Sequence, residues 1–596
     1  MEPQFTHFLL VWAIIIKGLF VSNIFRKILI YFFFLSLSTI PLFPFSLYMP
    51  DDPEVKELVS LYTRAGLAFP DASFPLSLAD LYDYASRLED ITIKLDILDR
   101  AEDYKGSLDY KKGRAVINNK YSLNTTAFIN GNIYIPVVNS NLEHTRYPND
   151  FYNRFVEFPD IGYLGLSAGV QGESGLYFLV GLKKEYNPGI VPDTNLFVST
   201  SSDPGKFENY FVRRGYLAWK TDNFEFRLGR TPVHYGDAMF STFLPSDKLP
   251  WLDTFTYRYK VGPLTMTSYF GTIDSRITDD ERMIFINDLL GVDSEDGAVT
   301  FFEDPNNGQI NLLMDGNHTD YYFENTLILN SMHRFVLGWQ KLRLGFTSSI
   351  VVARENNAIQ IGDIFPVFSW HNAVLGSNNM NLVFDAGYVP LSGLALYGQA
   401  AWDDINASDI FGIPDGSVPT IGAYLLGVSY VPGWISKLDL SMKMEVGTTH
   451  YLWGNYYAYD SWKGSYLSRA IYRYHSQKGY FWMPLTSPYG PGTWWIGGEA
   501  YLKIPDNIDF TLGFTYLKFN SDVNLITTPY FYNPDLEEFN STSFTVYLES
   551  KYTYSLNKSN DLQFSIIPGW YSFKGHMWPE VEISLELSGK KIKDFK

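Results

Sequence analysis

From Tyr121 onward, apolar and polar residues alternate one for one in segment after segment, and this period of two restricts the fold more than any other feature. Leu438, Leu440, Met442, Met444 and Val446 alternate with Lys437, Asp439, Ser441, Lys443 and Glu445. Ile508, Phe510, Leu512, Phe514 and Tyr516 alternate with Asp509, Thr511, Gly513 and Thr515. Val581, Ile583, Leu585 and Leu587 alternate with Glu580, Glu582, Ser584, Glu586 and Ser588. Successive side chains on a strand point to opposite faces, so each segment has one greasy face and one polar, often charged face. A soluble sandwich turns the greasy face inward. A transmembrane β-barrel turns it to lipid and lines a wet lumen with the other. Periodicity alone fits both.

Connection lengths separate them. Short turns recur at Lys220–Asn223, Lys260–Pro263, Val389–Gly393, Val431–Gly433, Pro505–Asn507 and Ser555–Asn560. Between them lie long connections at 231–253, 272–319, 403–419, 451–493 and 519–540. Tight turns at one end and long loops at the other are the habit of outer-membrane barrels. Closure also removes the exposed edges that make a very wide open sheet aggregate or curl. The expectation is an all-β transmembrane barrel of about 18 antiparallel strands.

Composition narrows the class further. Aromatic residues make up 17% and charged residues 19% of the 596, the reverse of a disordered chain. After Tyr48 no apolar run approaches the ~20 residues of a membrane helix. With 47 basic against 65 acidic residues, net −18, the chain lacks the basic excess of a nucleic-acid binder. Cysteine is absent, which excludes disulfides, thiolate metal sites and a Cys nucleophile and is compatible with an oxidising compartment.

The first 48 residues read as a signal or targeting segment whose start is open to reassignment. Arg26 and Lys27 precede an apolar run from Ile28 to Tyr48, and a polar mature start follows at Asp51-Asp52. A pair of transmembrane helices is the alternative. Residues 49–120 read as a periplasmic helical region. Asp52-Pro53 opens a helix, Val55, Leu58, Val59, Tyr62 and Ala65 share one face, and Gly66 can end it. Ser77 and Asp80 form a capping-box pattern for a second helix through Leu88. Two short helices must pack on something larger, namely the barrel expected over 121–596.

Few motifs suggest chemistry. Gly165-Leu166-Ser167-Ala168-Gly169 matches a nucleophile-elbow pattern, but that device needs a strand-to-helix turn and the flanking sequence has no helical pattern. The expectation is no enzyme. The nine histidines show no metal-binding spacing, and no metal or cofactor is expected. Twelve Asp/Glu between Thr272 and Asp320 could gather calcium but lack EF-hand spacing; a solvated acidic outer loop is preferred. Aromatics crowd 451–495, among them Trp453, Tyr457, Trp462, Trp482 and Trp494. An interfacial girdle accounts for such rings, and a platform on which sugars stack does so equally. Asp403-Asp404 could hold a sugar hydroxyl or a cation. Pairing with lumen arginines such as Arg230, Arg334 or Arg343 is the preferred reading.

The order of segments resembles the Wzi-type capsule assembly family of outer-membrane barrels. Pro53-Glu54-Val55 to Gly66-Leu67, then Pro75-Leu76-Ser77, is similar to its periplasmic helical start. Phe226-Arg227-Leu228-Gly229-Arg230 with His234-Tyr235-Gly236 resembles its strand and aromatic-Gly loop. His333-Arg334 with Leu342-Arg343-Leu344-Gly345, and Asn381 to Asp385 with Leu396-Tyr397-Gly398-Gln399 and Asp403-Asp404, resemble later strand pairs. Tyr489-Gly490-Pro491-Gly492 resembles a late turn, with Gly492 where the family pattern leads one to expect Asp. Phe595 resembles the C-terminal aromatic read by barrel assembly machinery, here followed by Lys596.

The resemblance implies a non-catalytic barrel in the outer membrane of a diderm bacterium, in contact with its lipid. It would bind or anchor capsular or other surface polysaccharide at the cell exterior. Trp453, Tyr457, Trp462, Trp482 and Trp494 are then expected to stack on sugars. Arg230, Tyr235, Asp237, Arg334, Asp403 and Asp404 are expected to fix geometry or bond hydroxyls. A net charge of −18 disfavours an acidic polysaccharide. The alternatives are a porin-like channel or transporter for small solutes, and a surface adhesin or structural protein. No nucleic-acid partner is expected.

Overall fold

The structure, a computed structural model, describes residues 47–88, 223–274, 326–360, 377–405, 419–432, 439–455, 468–504, 508–525 and 539–573, with short gaps. Elsewhere it describes the backbone of strands within 108–136, 163–199, 215–220, 276–277, 301–323 and 576–595. The expected signal segment 1–48 lies outside the described residues up to 46. Leu47 and Tyr48 already belong to the fold, laddered to Leu76–Ser77.

The wall begins with β1 (Tyr121–Pro136), β2 (Tyr163–Ser174), β3 (Phe178–Tyr186), β4 (Gly215–Lys220), β5 (Phe224–Thr231) and β6 (Leu252–Val261). It continues with β7 (Leu264–Ile273), β8 (Thr326–Gly338), β9 (Leu342–Glu355), β10 (Ser377–Leu391), β11 (Leu394–Asp404) and β12 (Ile421–Tyr430). β13 (Asp439–Thr449), β14 (Thr493–Ile504), β15 (Ile508–Phe519), β16 (Ser541–Asn557), β17 (Asn560–Phe573) and β18 (His576–Phe595) follow.

One sheet of nineteen strands contains all of these and the two-residue Val198–Ser199. It runs as an antiparallel meander from β4 to β18, after which β18 pairs with β1, Phe595 opposite Tyr121. β3 and β4 lie alongside each other with no ladder between them among the described residues. The expected strand count referred to a closed ring, whereas the described sheet is a nineteen-stranded ribbon whose two ends run side by side.

Burial assigns the faces. In β11, buried Tyr397, Gln399, Ala401 and Asp403 alternate with exposed Leu396 and half-buried Trp402. In β13, Glu445 is 1% exposed while Met442 and Met444 are 43% and 46% exposed. Leu426, Leu512, Leu548, Phe384 and Tyr552 likewise face out. Charged groups inside and bare hydrocarbon outside invert a water-soluble sandwich and are the pattern of a wall in lipid. Among the described residues no helix is long and apolar enough to cross a membrane. An outward band of rings crosses β9 to β12: Phe346 to Phe384 at 4.7 Å, Phe384 to Trp402 at 6.0 Å, Trp402 to Tyr424 at 6.2 Å.

The short turns named above collect at one end of the wall, hereafter the turn end, and the long connections at the other, the loop end, which also holds the two-residue connection between β17 and β18. One connection read as a solvated acidic outer loop has structure of its own. Within 272–319 and just beyond it, Arg276–Ile277, Phe301–Asp304, Gly308–Met314 and Tyr321–Phe323 form a four-stranded sheet.

The helical lead-in is α1 (Pro53–Arg64) and α2 (Leu78–Ser86). Asp52 is the N-cap residue of α1, yet its carboxylate accepts from the Met49 amide at 2.6 Å instead of capping the helix. The capping box forms: Ser77 Oγ accepts from the Asp80 amide at 3.2 Å and Asp80 Oδ2 from the Ser77 amide at 3.1 Å. α2 stops at Ser86, short of Leu88. Val55, Leu58, Tyr62, Phe69, Phe74, Leu81 and Tyr84 make a small core between the helices. α1 docks on the turn end, where the Gly393 amide donates to Thr63 O at 2.8 Å and Ser392 Oγ donates to Arg64 O.

Candidate functional site

The interior is occupied from both ends. From the turn end, residues 68–77 enter behind α1 and are met by buried arginines from the wall. Arg258 of β6 donates to Asp71 and, at 3.2 Å, to Asp80. Arg343 of β9 donates to Phe69 O at 3.0 Å and to Asp237. Arg334 of β8 grips Asp385 of β10 with two bonds of 2.6 and 2.9 Å, and also donates to Thr347 and Ser73. Gly345 gives Asp385 its space, since a Cβ there would collide with the carboxylate. Such bidentate pairs are strong only when well aligned and fully bonded, and this one is.

From the loop end, the connection 232–249 folds inward rather than out. His234–Tyr235 ladders with Phe74 and Ser73, so the two segments meet as a two-stranded bridge. The Gly236 amide donates to Ala72 O at 2.8 Å. The connection then crosses to strands six to nine places further round the sheet from β5. The Met239 and Ser241 amides donate to the Glu445 carboxylate of β13 at 2.8 and 3.1 Å. Trp495 Nε1 and Tyr397 OH donate to the same carboxylate at 3.2 and 3.3 Å. Gln399 Oε1 accepts from the Phe243 amide at 3.0 Å. Phe240 lies against Gly497, where a Cβ would come within 2.7 Å of the ring. This strap, residues 239–243, is a built feature of the described interior.

Above the strap, at the loop end, aromatic rings form a dry cluster. Phe243 meets Trp453 and Trp495 edge-on at 5.5 and 6.2 Å, and Tyr489 packs on Trp495 at 5.3 Å. Trp453 Nε1 donates to Thr486 Oγ1 at 3.1 Å. The loop Tyr451–Asn455 is fastened to the wall by Asp403, whose Oδ2 accepts from the Gly454 amide at 2.9 Å. Asn379 Nδ2 donates to the carbonyls of Gly454 and Asn455 at 3.3 and 3.0 Å. Gly492 sits at φ +63°, a left-handed position that glycine adopts without strain. Its amide donates to His450 O at 3.0 Å, a backbone reason for glycine in that turn.

The residues expected to bind sugars therefore fall into separate places. Trp453 is 2% exposed and belongs to the core; no face is open for stacking. Trp494 lies on the outer face, 6.3 Å from Tyr516 with Lys518 Nζ 5.9 Å from its ring, a girdle position. Trp482 is on the hairpin strand Gly479–Pro484 opposite Arg473, its side chain outside the described residues. Tyr457 and Trp462 lie outside the described residues. Tyr235 is fully buried and stacked 6.1 Å from Tyr269; burial pushes its phenol up to about 12. Arg230 is paired with Asp253 by two 2.7 Å bonds, and Asp237 and Arg334 are paired as above. The preferred partners of Asp403-Asp404, Arg230, Arg334 and Arg343, hold Asp253, Asp385 and Asp237, while Asp403 accepts from the Gly454 amide. Asp403 is 5% exposed and Asp404 half-buried. Ser167 lies within the uninterrupted β2, with no strand-to-helix turn there. Sequence reasoning missed Gln399, Glu445 and Trp495, whose only signal was a polar or large residue at inward parity.

A wide antiparallel wall with hydrocarbon outside, short turns at one end and a helical lead-in there defines an outer-membrane β-barrel type of fold. A similar solved structure is that of Wzi, an outer-membrane protein involved in group 1 capsule assembly in Escherichia coli, described as a carbohydrate-binding β-barrel. It has 14% identity and a TM-score of 0.50, over 91% of this chain and 99% of that one. The Wzi-type resemblance read from the sequence is thus borne out in the fold. OccAB1 of Acinetobacter baumannii (11% identity, TM-score 0.39, 79% and 96% covered) and a BenF-like porin of Pseudomonas fluorescens (8%, 0.39, 79% and 99%) are more distant. No family model and no curated protein matches the sequence.

Proposed function

We propose that the chain is a non-catalytic outer-membrane barrel that binds or anchors surface polysaccharide at the cell exterior, with its helical lead-in in the periplasm. Outer-membrane lipid meets the apolar wall, and barrel assembly machinery inserts it. The observation that carries this reading is the strap at 239–243, clamped by Glu445 and Gln399 across the interior. A pore needs a continuous wet path, whereas a holder needs a rigid base beneath its loops. The sugar contacts then fall to Tyr457, Trp462 and Trp482, rather than to Trp453 or Trp494.

Glycan-array binding by the detergent-solubilised protein tests this. Changing Tyr457 and Trp462 together to Ala should lower the signal about tenfold or more, taking as a guide the ~1–3 kcal/mol that an aromatic side chain contributes when it stacks on a nucleic-acid base. Trp494→Ala should leave it unchanged. Binding that survives the double change removes those rings from the site. The rival reading, a channel for small solutes, predicts steady conductance of the unmodified protein in planar bilayers.

A further inference from the structure

The inward faces of β13 to β16 change character partway along. Toward the turn end, Ser441, Tyr501, Thr511 and Glu549 lie in register across the four strands, and Lys443, Glu499 and Tyr547 lie in the next inward row. Each of these side chains is half-buried, and Lys503 nearer the turn end is exposed. Water therefore reaches them although they point into the interior. Lys443 stands four residues, or about 13 Å, along β13 from its turn-end start, so the wet rows reach well inside the wall. Toward the loop end, Thr449, Thr493, Trp495, Leu517, Phe519 and Ser543 are all buried. The change falls at Glu445 and Gly497, where the strap is clamped and Phe240 lies.

The side of the interior formed by β6 to β9 is dry in its turn-end half. Arg258, Thr267, Arg334 and Thr347 are buried there, with Asp71 and Ser73 of the lead-in bonded to the two arginines. The lead-in thus fills one side and leaves the other to water. α1 starts beside that gap, since Lys443 is within electrostatic reach of Asp51 and Lys56, an exposed ion pair of 3.3 Å. The lining of the wet side has its charges matched. Lys443 stands opposite Glu499, and Asp509 stands between Lys503 and Lys551, with Glu549 nearby. Opposite charges side by side give little net field to draw an ion. The remaining groups are hydroxyls, on Ser441, Tyr501, Thr511 and Tyr547. Tyr547 keeps its ring over Gly513, where a Cβ would collide with it. Hydroxyls offer hydrogen bonds in both directions, and an aromatic ring offers a flat apolar face.

We propose that this side of the interior is a water-filled chamber, open at the turn end and roofed by the strap 239–243, that receives a neutral, hydroxyl-rich solute of the sugar class. The strap and the dry cluster close its loop-end side over β13 to β15, so a solute enters and leaves by the turn end. The chamber rests on the barrel fold and not on the loop-end glycan reading.

The chain has no cysteine, so single substitutions read the space directly. In the full chain folded into lipid vesicles, Thr511→Cys should react with a small, membrane-impermeant thiol reagent about tenfold or more faster than Thr347→Cys or Thr493→Cys, because thiol reactivity follows access. Protease digestion of the loops reports which end of the wall faces outward, and only vesicles presenting the turn end should be labelled. Maltotriose should slow the labelling of Thr511→Cys, a galacturonate trimer of the same length should slow it less, and adding Tyr547→Ala should weaken the protection. Heat-modifiable migration reports folding; if Thr511→Cys does not fold, Ser441→Cys takes its place. Labelling as slow as that of Thr347→Cys overturns the chamber, and labelling from the loop end overturns its roof. Labelling that maltotriose leaves unchanged, or that the galacturonate trimer slows equally, overturns the solute class. None of these readouts involves Tyr457 or Trp462, so failure here is distinguishable from failure of the loop-end reading.

Discussion

The two ends of the interior are built from similar residues and differ in how the charges are closed. At the turn end buried arginines join carboxylates or carbonyls on facing pieces: Arg334 to Asp385, Arg258 to Asp71 and Asp80, Arg343 to Phe69 O. At the loop end, the loop Tyr451–Asn455 is held by hydrogen bonds, the Asp403 carboxylate accepting from the Gly454 amide and the Asn379 amide group donating to the carbonyls of Gly454 and Asn455. Crossed salt bridges make a fixed floor, because breaking one strands a charge in a dry place. Hydrogen bonds to loop backbone make a lighter fastening, because breaking one strands no opposite charge.

The largest expected effect is at the floor. Asp385→Ala leaves Arg334 without its carboxylate and should cost about 3–5 kcal/mol in a urea refolding titration. A change below ~1 kcal/mol would erase the contrast between the ends. The wall itself comes next. Leu426 is 69% exposed; on a water-soluble surface Leu426→Arg would change stability by less than ~0.5 kcal/mol, whereas facing the middle of a bilayer it should cost about 2–4 kcal/mol. Folding yields into lipid vesicles distinguish the two.

Glu445→Gln sharpens the comparison at the strap between the ends. It weakens the charge-assisted bonds from the Met239 and Ser241 amides, at about 1.5–3 kcal/mol. Faster protease cleavage within 232–249 and more frequent conductance openings are expected; an unchanged digest would show that the strap is held by packing alone.

The smallest effect concerns pH. Burial pushes His450 down to about 4 from its ordinary 6.5, and its Nδ1 accepts from the Leu452 amide at 3.2 Å. Its folded-state value is depressed, so the stabilisation is complete above pH 6.5 and is lost as pH falls towards 4. Hydrogen exchange at Leu452 should quicken over that window, after correction for intrinsic rates, while exchange of turn-end amides stays flat.

Much of the wall was legible before any coordinates. The alternation in 437–446 and 508–516 announced strands, the turn at Lys260–Pro263 and its counterparts announced one tight end, and Ser77 with Asp80 announced a helix start that the structure confirms. The site was far less legible. Trp453, Trp494 and Trp495 are one residue type in one stretch, yet one is core, one faces out, and one donates to Glu445. Parity tells inside from outside only once a register is known, and a long loop carries no register.

Local chemistry therefore determined the strands, their greasy and polar faces, the tight turns and the helix caps, because each depends on residues a few positions apart. Tertiary structure alone decided that residues 68–77 enter the wall, that 232–249 turns inward to Glu445, and that Asp403 and Asn379 meet the loop Tyr451–Asn455. Those contacts join residues tens to hundreds of positions apart, and no spacing along the chain encodes them; they exist because the sheet, in curving round, brings distant inward-facing groups together where water is scarce.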